Sequence, residues 1–245
     1  MKTAWKVIVG VLAVVLVLLL AAEFGLRAYM SEQIRADAAV EGTEVSFGSQ
    51  PLTLGLARGV VPHMSMTSPS TLEIVGDTAT GQPASSVEVD NMRVNKDNQV
   101  AERLSMTSVL PEDYVRIILQ QQLSEALQTN ASFLDSFINV TGVSANPDNN
   151  TLDITFSGGA AGLELRPVME GEKLKFTAES TELFGFTLPD FVTATITDAL
   201  GQGVHNAVGG PLRLSDFAVV DGGMRVTLSG ENVNLRELQS LASPL

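Results

Sequence analysis

The chain has no cysteine. This excludes disulfides, a thiol nucleophile, thiolate metal sites and a lipidated N-terminal cysteine. Histidine is nearly as scarce: His63 and His205 are far apart in sequence and form no pair at metal-ligand spacing. Basic residues are few, with 15 Lys and Arg against 28 Asp and Glu and a formal net charge of -13. Nucleic acid is thereby excluded as a partner, because phosphate backbones need a basic footprint. The same balance offers no broad electrostatic grip on anionic membranes. No G-x-S-x-G elbow, H-E-x-x-H helix or phosphate-binding glycine loop occurs. "DNNTLD" lacks the glycine and distal glutamate of a calcium loop and reads as a hairpin turn. Glu112-Asp113 is explained as an acidic helix first turn. No enzyme, no cofactor and no metal site is expected.

Apolar sequence is what the chain has instead, at 44% of residues. Lys2 and Lys6 precede Val7 to Ala22, a run of 16 uncharged residues closed by Glu23 and Arg27. Its length falls between a signal-peptide core of about 7–15 residues and a full span of about 20. The expectation is a segment over 1–28 that is either an uncleaved single-pass anchor, N-in and C-out, or a signal cleaved near Ala22. Either places residues 29–245 outside the cytoplasm, at the cell membrane or in a periplasm-like envelope space.

Glu23 to Ala39 reads as a helix stopped by Gly42. Period-2 patterns follow at Val45 and Phe47, at Leu52, Leu54 and Leu56, and at Met64 and Met66. Gly76 to Ser86 reads as a loop; Val87 to Asn95 and Arg103 to Leu110 read as strands. A helix is predicted from Pro111 through Gln128, with Val115, Ile118, Leu119, Leu123, Ala126 and Leu127 as its apolar stripe, continuing through Phe133 and Phe137. Further strands are expected around Val140, Leu152, Leu163 and Leu174, a second helix from Pro189 through Val204, and a hairpin about Asp221-Gly222-Gly223. About ten strands arranged in runs, with two long helices, predict an α+β fold with a mostly antiparallel sheet.

The apolar positions have two readings, ordinary core or the lining of a greasy site. The strand methionines Met64, Met66 and Met106 suit an adaptable apolar surface. Phe133, Phe137, Phe184, Phe186 and Phe191 gather near predicted helix ends and loops, where a mouth could form. Leu54, Leu119, Leu123 and Ile196 complete the candidate lipid-binding set.

The segments "EFGLRAYMSEQI", "GTEVSFGSQPLTLGLARGVVPHMSMTS", "VEVDNMRVN", "AERLSMTSVLPEDYV" and "GGPLRLSDFAVVDGGMRVTLSGENVNL" follow one another in an order that resembles the LmeA-like phospholipid-binding domain family of mycolate-containing actinobacteria. The resemblance spans roughly Glu23 to Leu235. It implies one elongated domain, a curved sheet wrapped against long helices, like the lipid-binding modules of bactericidal permeability-increasing proteins. It further implies a phospholipid carrier or chaperone at the membrane, serving envelope glycolipid or lipomannan biogenesis. The alternative is a non-catalytic scaffold for a membrane glycosyltransferase or transporter.

Overall fold

The computed structural model describes residues 2–38, 40–95, 98–130, 139–157, 159, 161–171, 173–183, 193–194, 197 and 211–242. It is mostly antiparallel sheet with a few helices, as the strand patterns predict. The chain divides into two compact units.

The first unit comprises Met1–Ser68, Val87–Leu104 and Asn232–Ser243. Its long helix α1 runs over Lys2–Asp37. Strand β1 (Glu44–Phe47) pairs antiparallel with β2 (Val60–Ser68), Glu44 opposite Thr67 and Phe47 opposite Met64. Most of β5 (Ser85–Asn95) and the first part of β6 (Asn98–Pro111) continue the order β1-β2-β5-β6. Val45, Val61, Val89, Ala101, Leu104 and Val233 are buried. Helix α4 (Leu235–Ala242) closes this unit, and Asn234 starts it by accepting a hydrogen bond from the Arg236 N–H at 3.2 Å.

Leu52, Leu54 and Leu56, read as a strand, form the short helix α2 (Leu52–Ala57). Leu52 and Gly55, three residues apart, are its buried positions, which is helical rather than strand spacing. Gly55 is required by the close approach of β2. A β-carbon there would stand 2.6 Å from Pro62 Cδ and from the Val60 carbonyl.

The second unit comprises Pro69–Ser86, Ser105–Glu231 and Pro244–Leu245. Its hairpin β3 (Glu73–Val75) and β4 (Thr78–Thr80) replaces part of the predicted loop; Gly76, at φ +61°, and Asp77 make the two-residue turn between them. The rest of β6 is followed in order by β12 (Gly223–Asn234) and β11 (Arg213–Val220), the hairpin expected around Asp221-Gly222. A four-stranded antiparallel sheet has the order β10-β9-β8-β7, from β7 (Val140–Asn146), β8 (Thr151–Phe156), β9 (Ala161–Glu170) and β10 (Lys173–Leu183).

One face of this sheet is apolar by strict alternation. Leu152, Ile154 and Phe156 on β8 stand with Leu163 and Leu165 on β9, all buried. Helix α3 (Glu112–Asn130) packs Val115, Leu119 and Leu123 into the same hydrophobic cluster. It also closes the edge strand β7. Glu112 Oε1 accepts from the Ala145 N–H and Gln120 Oε1 from the Val140 N–H, each at 2.7 Å. Backbone donors at a sheet edge need such partners.

Among the described residues no helix is long and apolar enough to cross a membrane. The predicted continuation at 131–138 and nearly all of the predicted helix from Pro189 lie outside the described residues.

Candidate functional site

In the first unit, α1 grips the segment that joins β1 to α2. Arg27 donates from Nη1 to the carbonyls of Phe47 and Gly48, at 3.0 and 2.8 Å, and from Nη2 to Gln50 at 2.7 Å. Its Nε pairs with Glu23 at 2.6 Å, one helical turn earlier. Glu23 then reaches the start of α2, accepting from the N–H of Leu52 at 2.7 Å and from the N–H and hydroxyl of Thr53 at 2.9 and 2.8 Å. Pro51, at the N-cap, makes no side-chain cap bond, so Glu23 supplies the cap from another helix. Burial alone would raise the Glu23 carboxyl. The hydrogen bonds from the Thr53 and Leu52 amides, then from Arg27 and the Thr53 hydroxyl, outweigh it and hold the carboxyl down at about 2.

The gripped loop forms one wall of a polar cleft of about 320 Å³. The 48–50 loop and Pro62 stand beside His63 on β2, Asp90 and Asn91 on β5, and Arg103 on β6. His63 Nδ1 lies 2.7 Å from Asp90 Oδ1, and Arg103 Nε lies 3.4 Å from Asp90 Oδ2. Gly48 lets the loop approach His63 closely; a β-carbon there would stand 3.1 Å from His63 Cβ and Cδ2. Asn91 takes φ +48° within β5 and donates to Glu102 at 3.0 Å. Sequence reasoning treats His63 as a plain strand residue and passes over Asp90 and Arg103. Their only signal is the strand pairing itself, which no local pattern reveals. The Glu23–Arg27 grip did carry a signal, the four-residue spacing of opposite charges.

The sequence-derived lipid-binding set falls in several places. Leu54 lies on α2 and is 55% exposed; Met64 and Met66 share one face of β2 and are half-buried. Met106 lies half-buried on β6, in the second unit. Leu119 and Leu123, 2% and 1% exposed, belong to the hydrophobic core under α3. Phe133, Phe137, Phe184, Phe186, Phe191 and Ile196 lie outside the described residues, as does His205. Glu112, assigned to the helix start, also serves the β7 edge. Among the described residues no group of His, Asp and Glu is placed to hold a metal ion.

These features define a class, an α+β protein of antiparallel sheet backed by helices, with a chemistry of apolar surface and polar clamps. The chain belongs to the LmeA-like phospholipid-binding family, which it matches over residues 18–229. That family is a lipid-binding one rather than an enzyme family. No curated protein and no solved structure matches the chain.

Proposed function

We propose that this is a non-catalytic phospholipid carrier or chaperone of the cell envelope, tethered to the membrane by α1 and serving envelope glycolipid or lipomannan biogenesis. The observation that carries the reading is membership of the phospholipid-binding family across residues 18–229. The tether rests on the uncharged run from Val7 to Ala22 within one unbroken helix. It rests also on Leu16, Val17, Leu18, Leu19 and Leu20, which are all exposed. Five consecutive residues at about 100° each circle the helix completely, and a helix apolar all round fits a hydrocarbon surround. The basic residues ahead of the run favour N-in, C-out.

The lipid contacts we propose are Leu54, Met64, Met66 and Met106, with Phe133, Phe137, Phe184, Phe186, Phe191 and Ile196. Each methylene withdrawn from water contributes about 0.8 kcal/mol, so two acyl chains of roughly 16 carbons would cost over 20 kcal/mol to leave in water. A carrier must therefore offer nearly dry contacts, and an inward charge would oppose uptake by several kcal/mol. The test is lipid phosphorus retained by the full chain purified in an uncharged detergent. Wild type is expected to retain phospholipid, and Phe186→Asp to lose it with the melting temperature preserved. Retention unchanged by carboxylates at Phe186, Met66 and Met106 in turn would overturn the site; a protein devoid of lipid that co-purifies with a membrane enzyme would instead favour a scaffold.

A further inference from the structure

We propose that the polar cleft of the first unit is a phosphate site for the headgroup of a phospholipid at the membrane surface; the headgroup source rests on the phospholipid-binding reading above. The donor set carries the chemistry. Both Asp90 oxygens are engaged, Oδ1 by His63 Nδ1 at 2.7 Å and Oδ2 by Arg103 Nε at 3.4 Å. Asp90 thus stands between the imidazole and the guanidinium, and the Arg103 charge offsets its own. In its charged form an imidazole donates from both nitrogens, so with Nδ1 on Asp90 it has Nε2–H to offer. Arg103, 65% exposed, holds Asp90 through Nε alone, and its fork suits a phosphate oxygen pair. On the opposite wall the carbonyls of Gly48 and Gln50 already accept from Arg27. Glu102, the nearby acid, accepts from Asn91.

Depth carries the source. Arg27 follows the end of the apolar run by five residues, about 7.5 Å along a helix. The polar layer on each side of a bilayer is about 5–7 Å thick. With Val7 to Ala22 in hydrocarbon, the loop that Arg27 grips stands at the outer edge of the lipid headgroup layer. A cleft that holds a phosphate there would keep one lipid at the protein while its chains leave the bilayer.

The chain has two histidines, so imidazole NMR of the full chain in maltoside micelles reads His63 directly, with His205→Gln assigning the signals. The probes are inorganic phosphate, sn-glycerol 3-phosphate and short-chain phosphatidylglycerol. The His63 signals are expected to shift saturably with the two esters, most tightly with the lipid. Arg103→Gln should weaken that binding about tenfold, as expected for loss of a charge-assisted hydrogen bond. Lys175→Gln, an equal loss of charge in the second unit, should not. Inorganic phosphate binding as tightly as the lipid would overturn the headgroup assignment in favour of free phosphate. His63 signals unmoved by all three probes would overturn the site. Retained lipid with a silent His63 fails this inference alone, whereas a responsive His63 on a protein that retains no lipid fails the carrier reading alone.

Discussion

Glu23 and Asp153 respond to acid in opposite directions. Glu23 is held at about 2, below its ordinary 4.5, so its contribution is present above 4.5 and is lost as pH falls toward 2. Glu23→Gln should cost about 1 kcal/mol, the usual worth of a helix cap, and should flatten the acid limb of thermal unfolding below pH 4.5. Asp153 sits opposite Glu164 on paired strands. Burial first, and then the Glu164 charge, push its carboxyl up. The folded state therefore holds that proton more tightly, and this contribution favours folding in acid and is lost as pH rises through the raised value. Asp153→Asn should raise the melting temperature at neutral pH, by an amount corresponding to about 0.2–1 kcal/mol, and the gain should shrink on acidification. A melting temperature that falls at pH 7 would contradict the like-charge account. Neither behaviour is legible from sequence: Glu23 looks like the end of an apolar run, and Asp153 like part of a turn, until the strand register sets Glu164 across from it.

At the scale of elements, α3 and the sheet it covers were legible because each repeats its own period. The alternation of Leu152, Ile154 and Phe156 and the helical recurrence of Val115, Leu119 and Leu123 meet in one buried cluster. Asn150, at φ +53°, closes the predicted turn between β7 and β8, where an asparagine tolerates the left-handed conformation. Helix α2 was not legible, because its cap comes from Glu23, in another helix. Six residues without that cap offer only an alternation of leucines. The role of α3 as an edge cover predicts that Gln120→Ala destabilises the second unit by about 1–3 kcal/mol, since the Val140 N–H loses its buried partner. Leu123→Ala should cost about 2–5 kcal/mol through the cavity it leaves. Urea unfolding measures both, and a Leu123 variant as stable as wild type would mean that this position is not packed as core.

For the molecule as a whole, the family match over residues 18–229 points toward lipid binding. The sequence carried the order of motifs between Glu23 and Leu235, which is how the family was legible. It did not carry the cleft, because His63, Asp90 and Arg103 converge only when β2, β5 and β6 lie side by side. The central claim is that this chain binds phospholipid, and native mass spectrometry of the full chain tests it most directly. After exposure to mixed phospholipids and release from detergent, the account predicts a species heavier than the bare chain by the mass of a phospholipid. The bare mass alone, at every lipid concentration that leaves the protein folded, would contradict it.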